Sequence, residues 1–572
     1  MVFVWLGNES GSLRKGESIS IVVRFGEIFS YKFGSGVLIM GLTIWLWHLL
    51  GHQVPLSEVH WDVPIYLYRA KLTVETPLLQ SYAKHSYQIA DQVRRHNWPK
   101  DERFPEAYWH FSRFGNSLLL GLVYYATQDG LRAIVVASWI YALLFGAALL
   151  LSIVLTQQLA FLLDQAKDDR LFNTGAVVSL CMYVGSDISN YLSGNMVSEV
   201  PALVLLLAGM ISFVRAGEKK SVGWAFVSGS FAFMMYAVRM ESLWAYFTGI
   251  GLLFIVLRWR MGCASLGSTL FISIASFCLF YLIYAWCFFP LADPRLFLLF
   301  GGVQKSSSLS VSPLKVMVAG SGLLWLTASF SLSHIRRSRT VEFAVFWLGL
   351  QCVPFAIGAI TGMPSQTRMY SLILPALMVL SIYGVQALNK RPTRRFIKIA
   401  FEVAAITVLI TSNPVFYQVA RSFPGVWRLD EVRSYFMVPK YEKITYPVGD
   451  LFDISQLIYR SDKPIVLLRD QEIPQEYANL IRYFGPRHYE TGDVALRADP
   501  TNGGSCQQKV SRTPDEAVVF CTQLDQENIS ALHDRRLIFI SAKRLETPRP
   551  SHNPISVLFE TQNIVITELK LL

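Results

Sequence analysis

A carboxylate just beyond the first apolar segment is the strongest candidate for chemistry in this sequence. Asp62 follows that segment within a long polar and aromatic loop, 52–115. A carboxylate can accept a proton from an attacking hydroxyl group, or can orient that group. We therefore predict that Asp62 is the catalytic base or orienting carboxylate of a pocket at the membrane surface.

Other charged residues lie at the ends of later apolar segments. An ionisable group at membrane depth costs ~2.5–3.5 kcal/mol on insertion scales, so it usually faces a cavity or a partner. The sequence predicts that these residues lie on the same side of the membrane as Asp62, where they could bind a substrate. They are Asp187, Glu199, Arg239, Glu241 and Arg368.

Each of these residues also has a purely structural interpretation. Glu199 could stabilise the positive end of a helix. Arg239 and Glu241 could form an ion pair at the membrane interface. Asp187 could hydrogen-bond between helices, and Arg368 could bind lipid headgroups. Their shared side of the membrane is what favours a site.

The composition is that of a polytopic membrane protein. Of 572 residues, 52% are hydrophobic and 16% are charged, whereas a soluble domain has about 25% charged residues. Apolar runs near twenty residues recur and predict eleven helical spans. The spans are 34–51, 131–154, 174–192, 199–214, 222–239, 242–257, 266–289, 314–333, 341–361, 369–388 and 397–413. The segment 116–126 is too short to span and is predicted to re-enter the membrane or pack on its face.

The distribution of basic residues predicts the orientation of the chain. One alternate set of short loops, including the N-terminal segment 1–33, carries nineteen Lys and Arg residues, and the opposite set carries four. The positive-inside rule then places 1–33 in the cytoplasm, and 52–115 and 414–572 outside. Orientation also accounts for the net charge of +11, so no nucleic-acid partner is expected.

After the last predicted span, the sequence changes to short apolar runs typical of β-strands. The runs are 465–468, 517–521, 537–540, 557–559 and 564–566. With helices predicted at 475–484 and 526–533, they indicate a small extracytoplasmic α/β domain over 414–572. Cys506 and Cys521 are the two cysteines of this domain, and an oxidising compartment would allow them to form a disulfide.

Three short segments carry a resemblance to known enzymes. They are Trp61-Asp62-Val63-Pro64-Ile65-Tyr66 after the first span, Ser198-Glu199-Val200-Pro201 at the start of a span, and Arg368-Met369-Tyr370 through Pro375 at the start of a late span. In this pattern the chain resembles the GT-C fold glycosyltransferases, such as the protein O-mannosyltransferases and the lipid A aminoarabinose transferase. The resemblance covers 34–413 and departs at His110-Phe111-Ser112, where many relatives carry His-Pro-Pro, and in lacking a paired Asp-Glu at Asp62.

The resemblance implies an integral membrane glycosyltransferase with its transmembrane domain at 34–413, in a bacterial inner membrane. Such an enzyme takes a sugar from a polyprenyl-phosphate donor, whose tail stays among the membrane lipids, and passes it to an extracytoplasmic lipid, glycan or protein. Asp62 would act on the acceptor hydroxyl, and Arg239 and Arg368 would bind the departing phosphate. No cofactor is certain, and the departures leave a divalent metal as an open alternative.

Two other function classes stay open on the sequence alone. A transporter or lipid flippase would have repeated halves and polar groups near the bilayer midplane, and neither pattern is clear in this sequence. A non-catalytic envelope assembly factor would use its outside domain to bind a partner. Replacement of Asp62 discriminates the enzyme from the assembly factor, because loss of sugar transfer with normal folding supports the enzyme and unaffected function supports the assembly factor.

Overall fold

The computed structural model describes most of the predicted membrane part of the chain and five strands of its C-terminal part. The described residues are 63–75, 114–165, 170–185, 192, 195–261, 264–288, 322–361, 370–390, 403, 452–453, 455–456, 465–469, 483–484, 518–521, 536–542, 554–560 and 564–569. Asp62, Asp187, Arg368 and Cys506 lie outside this set. So do the predicted spans 34–51 and 397–413, apart from residue 403.

Eleven α-helices run through the described part of the chain. They are α1 Val63–Glu75, α2 Phe114–Thr127, α3 Gly130–Asp164, α4 Arg170–Gly185, α5 Glu199–Lys219, α6 Val222–Val238, α7 Ser242–Met261, α8 Ala264–Phe288, α9 Gly322–Ser331, α10 Arg339–Thr361 and α11 Tyr370–Lys390. Six of these described helices, α3, α5, α7, α8, α10 and α11, contain a segment long and apolar enough to cross a membrane. Helices α4 and α6 are shorter and apolar.

Each predicted span between 131 and 388 overlaps one of these helices, although the lengths differ and the span 314–333 overlaps only the ten-residue α9. Helix α3 has 35 residues, so at about 1.5 Å per residue it is about 52 Å long and extends beyond a hydrocarbon core of about 30 Å. It ends where Gln165 adopts a left-handed backbone conformation, with φ of 54°. The predicted helical membrane fold is confirmed, and the count of eleven spans stays a prediction.

The short segment predicted at 116–126 is helix α2, which packs along α1. Helix α2 has 14 residues, or about 21 Å, which is too short to cross the membrane. A Cβ atom added at Gly121 would lie 3.2 Å from the Ala70 carbonyl oxygen, so the two backbones approach closely. Helix α1 buries one face against its neighbours, formed by Val63, Tyr66, Leu67 and Ala70.

Small residues allow the closest helix crossings in the bundle. A Cβ atom added at Gly384 of α11 would overlap the carbonyl oxygen of Thr327 in α9, and one added at Gly229 of α6 would overlap that of Ser273 in α8. Serine hydroxyls bind across the same seams, as Ser273 Oγ donates to the Ala225 carbonyl at 3.0 Å. In lipid, where apolar burial does not drive helix association, close packing and such bonds hold helices together.

The five strands form one mixed sheet. They are β1 Ile465–Arg469, β2 Val518–Cys521, β3 Arg536–Ala542, β4 Pro554–Glu560 and β5 Ile564–Leu569. Their order is β2-β1-β3-β5-β4. Strand β1 is parallel to β2 and β3, while β5 is antiparallel to β3 and β4. Each strand coincides with a predicted apolar run, whereas the predicted helices at 475–484 and 526–533 lie outside the described residues except at 483–484.

The C-terminal part of the chain contacts the bundle at the turn between α2 and α3. The Tyr483 hydroxyl donates to the Gly130 carbonyl at 3.1 Å, and its ring centroid lies 5.5 Å from that of Tyr124. Burial raises the pKa of Tyr483 well above its ordinary value, so the hydroxyl remains a donor. Asp129 caps α3 in the same turn, because its carboxylate accepts from the Leu131 amide at 2.8 Å.

Candidate functional site

Two helix ends bring opposite charges together inside the bundle. Helix α5 begins at Glu199, and Pro201 is its third residue, a place where the missing proline N–H would have no helical partner. Helix α6 ends at Val238, and Arg239 follows it in an extended conformation with φ of −161°. The chain therefore leaves α6 with the arginine side chain directed at the start of α5.

Glu199 and Arg239 form a buried ion pair. Arg239 Nη1 lies 2.8 Å from Glu199 Oε1, with 3% and 2% of the two side chains exposed. The same Nη1 donates to Ser198 Oγ at 3.2 Å. Because both side chains are almost completely buried, each charge depends on the other for stabilisation.

Ser198 connects this ion pair to α1. Its hydroxyl lies 3.4 Å from Glu199 Oε2 and 3.5 Å from the Tyr66 hydroxyl. Tyr66 is 1% exposed and lies in the first turn of α1, which begins at Val63. The Ser198 and Tyr66 hydroxyls therefore connect the ion pair to α1. Asp62, the predicted catalytic carboxylate, directly precedes this helix in the sequence.

A second buried polar contact joins α2 to α3. The Tyr141 hydroxyl of α3 donates to Asn116 Oδ1 of α2. Asn116 and Tyr141 are both fully buried. We call Tyr66, Asn116, Tyr141, Ser198, Glu199 and Arg239 the buried polar cluster.

The beginning of α2 closes this cluster against the end of α6. A Cβ atom added at Gly115 would lie 2.9 Å from Val238 Cγ2 and 3.2 Å from the Ala237 carbonyl oxygen. A larger residue at this crossing would have to displace Val238, and the close approach brings Asn116 near the residue after Val238, which is Arg239. Five helices, α1, α2, α3, α5 and α6, thus meet around the cluster.

The structure brings together two of the six predicted site residues. Glu199 and Arg239 pair directly, in place of the ion pair between Arg239 and Glu241 that was the structural alternative. Glu241 lies half-buried in the turn that joins α6 to α7, where its carbonyl accepts from the Trp244 amide at 3.3 Å. Asp62, Asp187 and Arg368 lie outside the described residues, so their site roles stay predictions.

Sequence reasoning did not predict four members of the cluster as site residues, namely Tyr66, Asn116, Tyr141 and Ser198. Tyr66 had a usable signal, because Pro64 is typical of a first helical turn and Tyr66 falls in that same turn, four residues after Asp62. Asn116 and Tyr141 had none, because one begins an apolar helix and the other lies within an apolar run. Only packing of α2 on α3 reveals them.

The described residues contain no set of metal ligands. No group of three or more His, Cys, Asp or Glu side chains that could hold an ion occurs in this part of the chain. Glu199 is paired with the Arg239 guanidinium. A divalent metal stays an untested alternative from the sequence.

Comparison with known proteins gives a match in structure but none in sequence. No protein-family profile matches the sequence, and no curated protein matches it. By contrast, the crystal structure of ArnT from Cupriavidus metallidurans bound to undecaprenyl phosphate matches 94% of this chain and 98% of its own, with a TM-score of 0.54 and 14% identity. The chain shares the ArnT fold.

The apo structure of the same ArnT gives the same result. It covers 94% of this chain and 98% of its own, with a TM-score of 0.53 and 13% identity. ArnT is the aminoarabinose transferase named among the GT-C enzymes that the three sequence segments resemble. The predicted resemblance is therefore confirmed at the level of the fold.

Proposed function

We propose that this protein is an integral membrane glycosyltransferase that takes a sugar from a polyprenyl-phosphate-linked donor and passes it to an extracytoplasmic lipid, glycan or protein. The observation that carries the proposal is the likeness to ArnT over 94% of the chain, including a structure of ArnT bound to undecaprenyl phosphate. The buried polar cluster supports it, because charged side chains converge at the helix end next to Asp62.

The proposed reaction needs a carboxylate and a cation. The acceptor oxygen attacks the anomeric carbon of the donor, and the bond from that carbon to the phosphate oxygen breaks. The electron pair leaves with the lipid phosphate, while Asp62 accepts or directs the acceptor proton. Arg368 is the proposed partner of the phosphate, because a guanidinium binds phosphate oxygens through paired N–H groups. Asp187 and Glu241 are proposed acceptors for sugar hydroxyls.

The described contacts restrict what Arg239 and Glu199 can do. A guanidinium has five N–H donors, and Nη1 of Arg239 is committed to Glu199 and Ser198. Arg239 would therefore reach a donor phosphate only through its other N–H groups. Its charge is also offset by Glu199, so we assign the larger share of phosphate binding to Arg368.

The proposed location is a bacterial inner membrane, with the N-terminus in the cytoplasm and 414–572 outside. Polyprenyl-phosphate donors keep their tails in the bilayer, so the sugar must be presented at one membrane face. The asymmetry of basic residues supports the orientation.

Transfer assays with purified protein in lipid vesicles test the proposal. We expect sugar transfer from a polyprenyl-phosphate-linked donor, its loss in Asp62→Asn, and weaker use of the donor in Arg368→Ala. Asp164→Asn is the matched control, because Asp164 ends α3 at the opposite end from Gly130 and binds the Arg339 amide and Ser338 hydroxyl there. It should keep normal turnover.

Two outcomes would contradict the proposal at different levels. Near-normal turnover in Asp62→Asn would remove Asp62 from the mechanism but leave the enzyme. Absence of transfer from every polyprenyl-phosphate-linked sugar tested would reject the enzyme, and lipid movement across the vesicle without transfer would support a flippase. Mass spectrometry of envelope lipids and glycans, with and without the protein, would identify the acceptor.

A further inference from the structure

Helix α1 is held in two different ways along its length. Its apolar face packs on α2, where Ala70 and Val74 meet the backbone at Gly121. Apolar packing of this kind sets the distance between two helices, yet it is non-directional and resists rotation of a helix about its own axis weakly. The contact of Tyr66 with Ser198 is different, because it joins one atom of α1 to one atom of the residue that directly precedes α5.

That contact lies in the first turn of α1 and ends in an ion pair. The Tyr66 hydroxyl meets Ser198 Oγ at 3.5 Å, and Ser198 Oγ accepts from Arg239 Nη1 at 3.2 Å. Arg239 is fixed in turn by Glu199 at 2.8 Å. The 3.5 Å distance between the Tyr66 and Ser198 hydroxyls is longer than an ordinary O–H···O bond. The contacts among Ser198, Arg239 and Glu199 are shorter, so these three residues form the fixed support that Tyr66 contacts.

From this arrangement we propose that Tyr66 is a positioning residue. It fixes the rotation of α1 about its own axis, and so the position of Asp62, the residue that directly precedes α1 in the sequence. The inference rests on the proposed function, in which Asp62 acts on the acceptor. Tyr66 is not assigned a contact with the substrate. It acts through the backbone of α1, with Ser198 as its contact and the Glu199–Arg239 pair as the support of Ser198.

Catalysis requires precise placement of Asp62, and a small rotation of α1 would be enough to disturb it. The Cα atoms of a helix lie about 2.3 Å from its axis, so a rotation of about 25° moves the Cα atom of a first-turn residue by about 1 Å. A misplacement of about 1 Å can lower the rate about 100-fold when it separates a catalytic group from its substrate. We expect that loss of the Tyr66 contact allows rotations of this size while α1 stays packed on α2.

The test compares two Tyr→Phe variants of the full-length protein in lipid vesicles. Tyr66→Phe removes the hydroxyl that meets Ser198. Tyr246→Phe is the matched control, because Tyr246 is equally buried, with 1% exposed, and its hydroxyl lies 2.6 Å from Ser228 Oγ between α6 and α7. Both variants lose one hydroxyl–hydroxyl contact, but only the first contact lies next to Asp62 in the chain.

We expect Tyr66→Phe to lower kcat about tenfold or more, with the KM for the donor changed by less than about twofold, since donor binding is assigned to other residues. Tyr246→Phe should keep a near-normal kcat even where its thermal midpoint falls. Ser198→Ala should lower kcat at least as much as Tyr66→Phe, because it removes the same contact and also the acceptor of Arg239 Nη1. The double variant should fall no further than Ser198→Ala alone, because that change already removes the Tyr66 contact. A kcat of Tyr66→Phe equal to that of the control overturns the inference.

A second measurement does not depend on activity. Amide hydrogen exchange of the peptide that covers Val63–Glu75 should be faster in Tyr66→Phe than in wild type, and unchanged in Tyr246→Phe. If wild type transfers no sugar, the proposed function fails on its own, while faster exchange in Tyr66→Phe still supports the restraint on α1. Unchanged exchange together with normal kcat removes the positioning role and leaves the glycosyltransferase proposal intact.

Discussion

The Glu199–Arg239 pair yields the sharpest prediction about the bundle. Both side chains are almost completely buried, and their charged atoms lie 2.8 Å apart. Glu199→Leu leaves the Arg239 guanidinium buried without a counter-charge, and Arg239→Met does the same to the Glu199 carboxylate. Removing one partner of a buried pair costs about 3–5 kcal/mol, so each single variant should lose about that much free energy of unfolding.

The double variant should behave differently. Leu and Met together approximate the volume of the pair and need no counter-charge, and such replacements are often neutral or stabilising. We therefore expect Glu199→Leu/Arg239→Met to unfold within about 1 kcal/mol of wild type, so that the two single losses are far from additive.

Unfolding by SDS in mixed micelles, followed by circular dichroism, measures these free energies. The control is Glu342→Gln, which breaks the half-exposed pair of Glu342 with Arg339, three residues apart on α10. An exposed pair contributes about 0.5 kcal/mol or less. The reasoning is refuted if Glu199→Leu costs no more than Glu342→Gln, or if the double variant loses the sum of the two single losses.

Three further predictions concern the packing, the redox state and the orientation of the chain. Gly384→Leu should prevent the close approach of α11 to α9 and lower the thermal midpoint, whereas Gly349→Leu, where an added Cβ meets open space, should not. Cys506 and Cys521 should pair, which closes a loop of about 15 residues and stabilises it by ~3 kcal/mol. Two freely alkylated thiols in the unreduced, denatured protein would contradict the bridge. Single cysteines placed in 414–572 should label from outside intact cells, and protection there would reverse the topology.

The positions of the helices were predictable because they depend on local composition. Apolar runs of sufficient length predict spans. The nine spans predicted between 131 and 388 each overlap a described helix, and six of these helices are long and apolar enough to cross a membrane. Helix ends were less accurate, as α3 continues to Asp164, well past the predicted end at 154. Beyond residue 154 the chain continues with good helix formers such as Gln157, Gln158 and Leu162. The helix therefore extends past the end of the predicted span.

The members of the site were predictable only in part, because charge is visible in a sequence and contact is not. Glu199 and Arg239 stood out as ionisable residues at span ends, but their pairing depends on how α6 ends against α5. The sequence suggested Glu241 as the partner of Arg239, since it lies two residues away. The extended backbone at Arg239 directs its side chain across the bundle to Glu199, and no local pattern encodes that.

Stability alone does not explain why charges occupy this place in the bundle. A buried ion pair contributes little net stability relative to apolar residues of the same volume, so Leu and Met would serve α5 and α6 as well. What they would not supply is the donor that fixes Ser198, at 3.2 Å from Arg239, and through it Tyr66. The Glu199→Leu/Arg239→Met variant separates the two roles, because it should unfold like wild type and yet show the lowered kcat of Tyr66→Phe. Recovery of both stability and kcat would mean that the pair serves packing only, and that α1 is positioned by its apolar face.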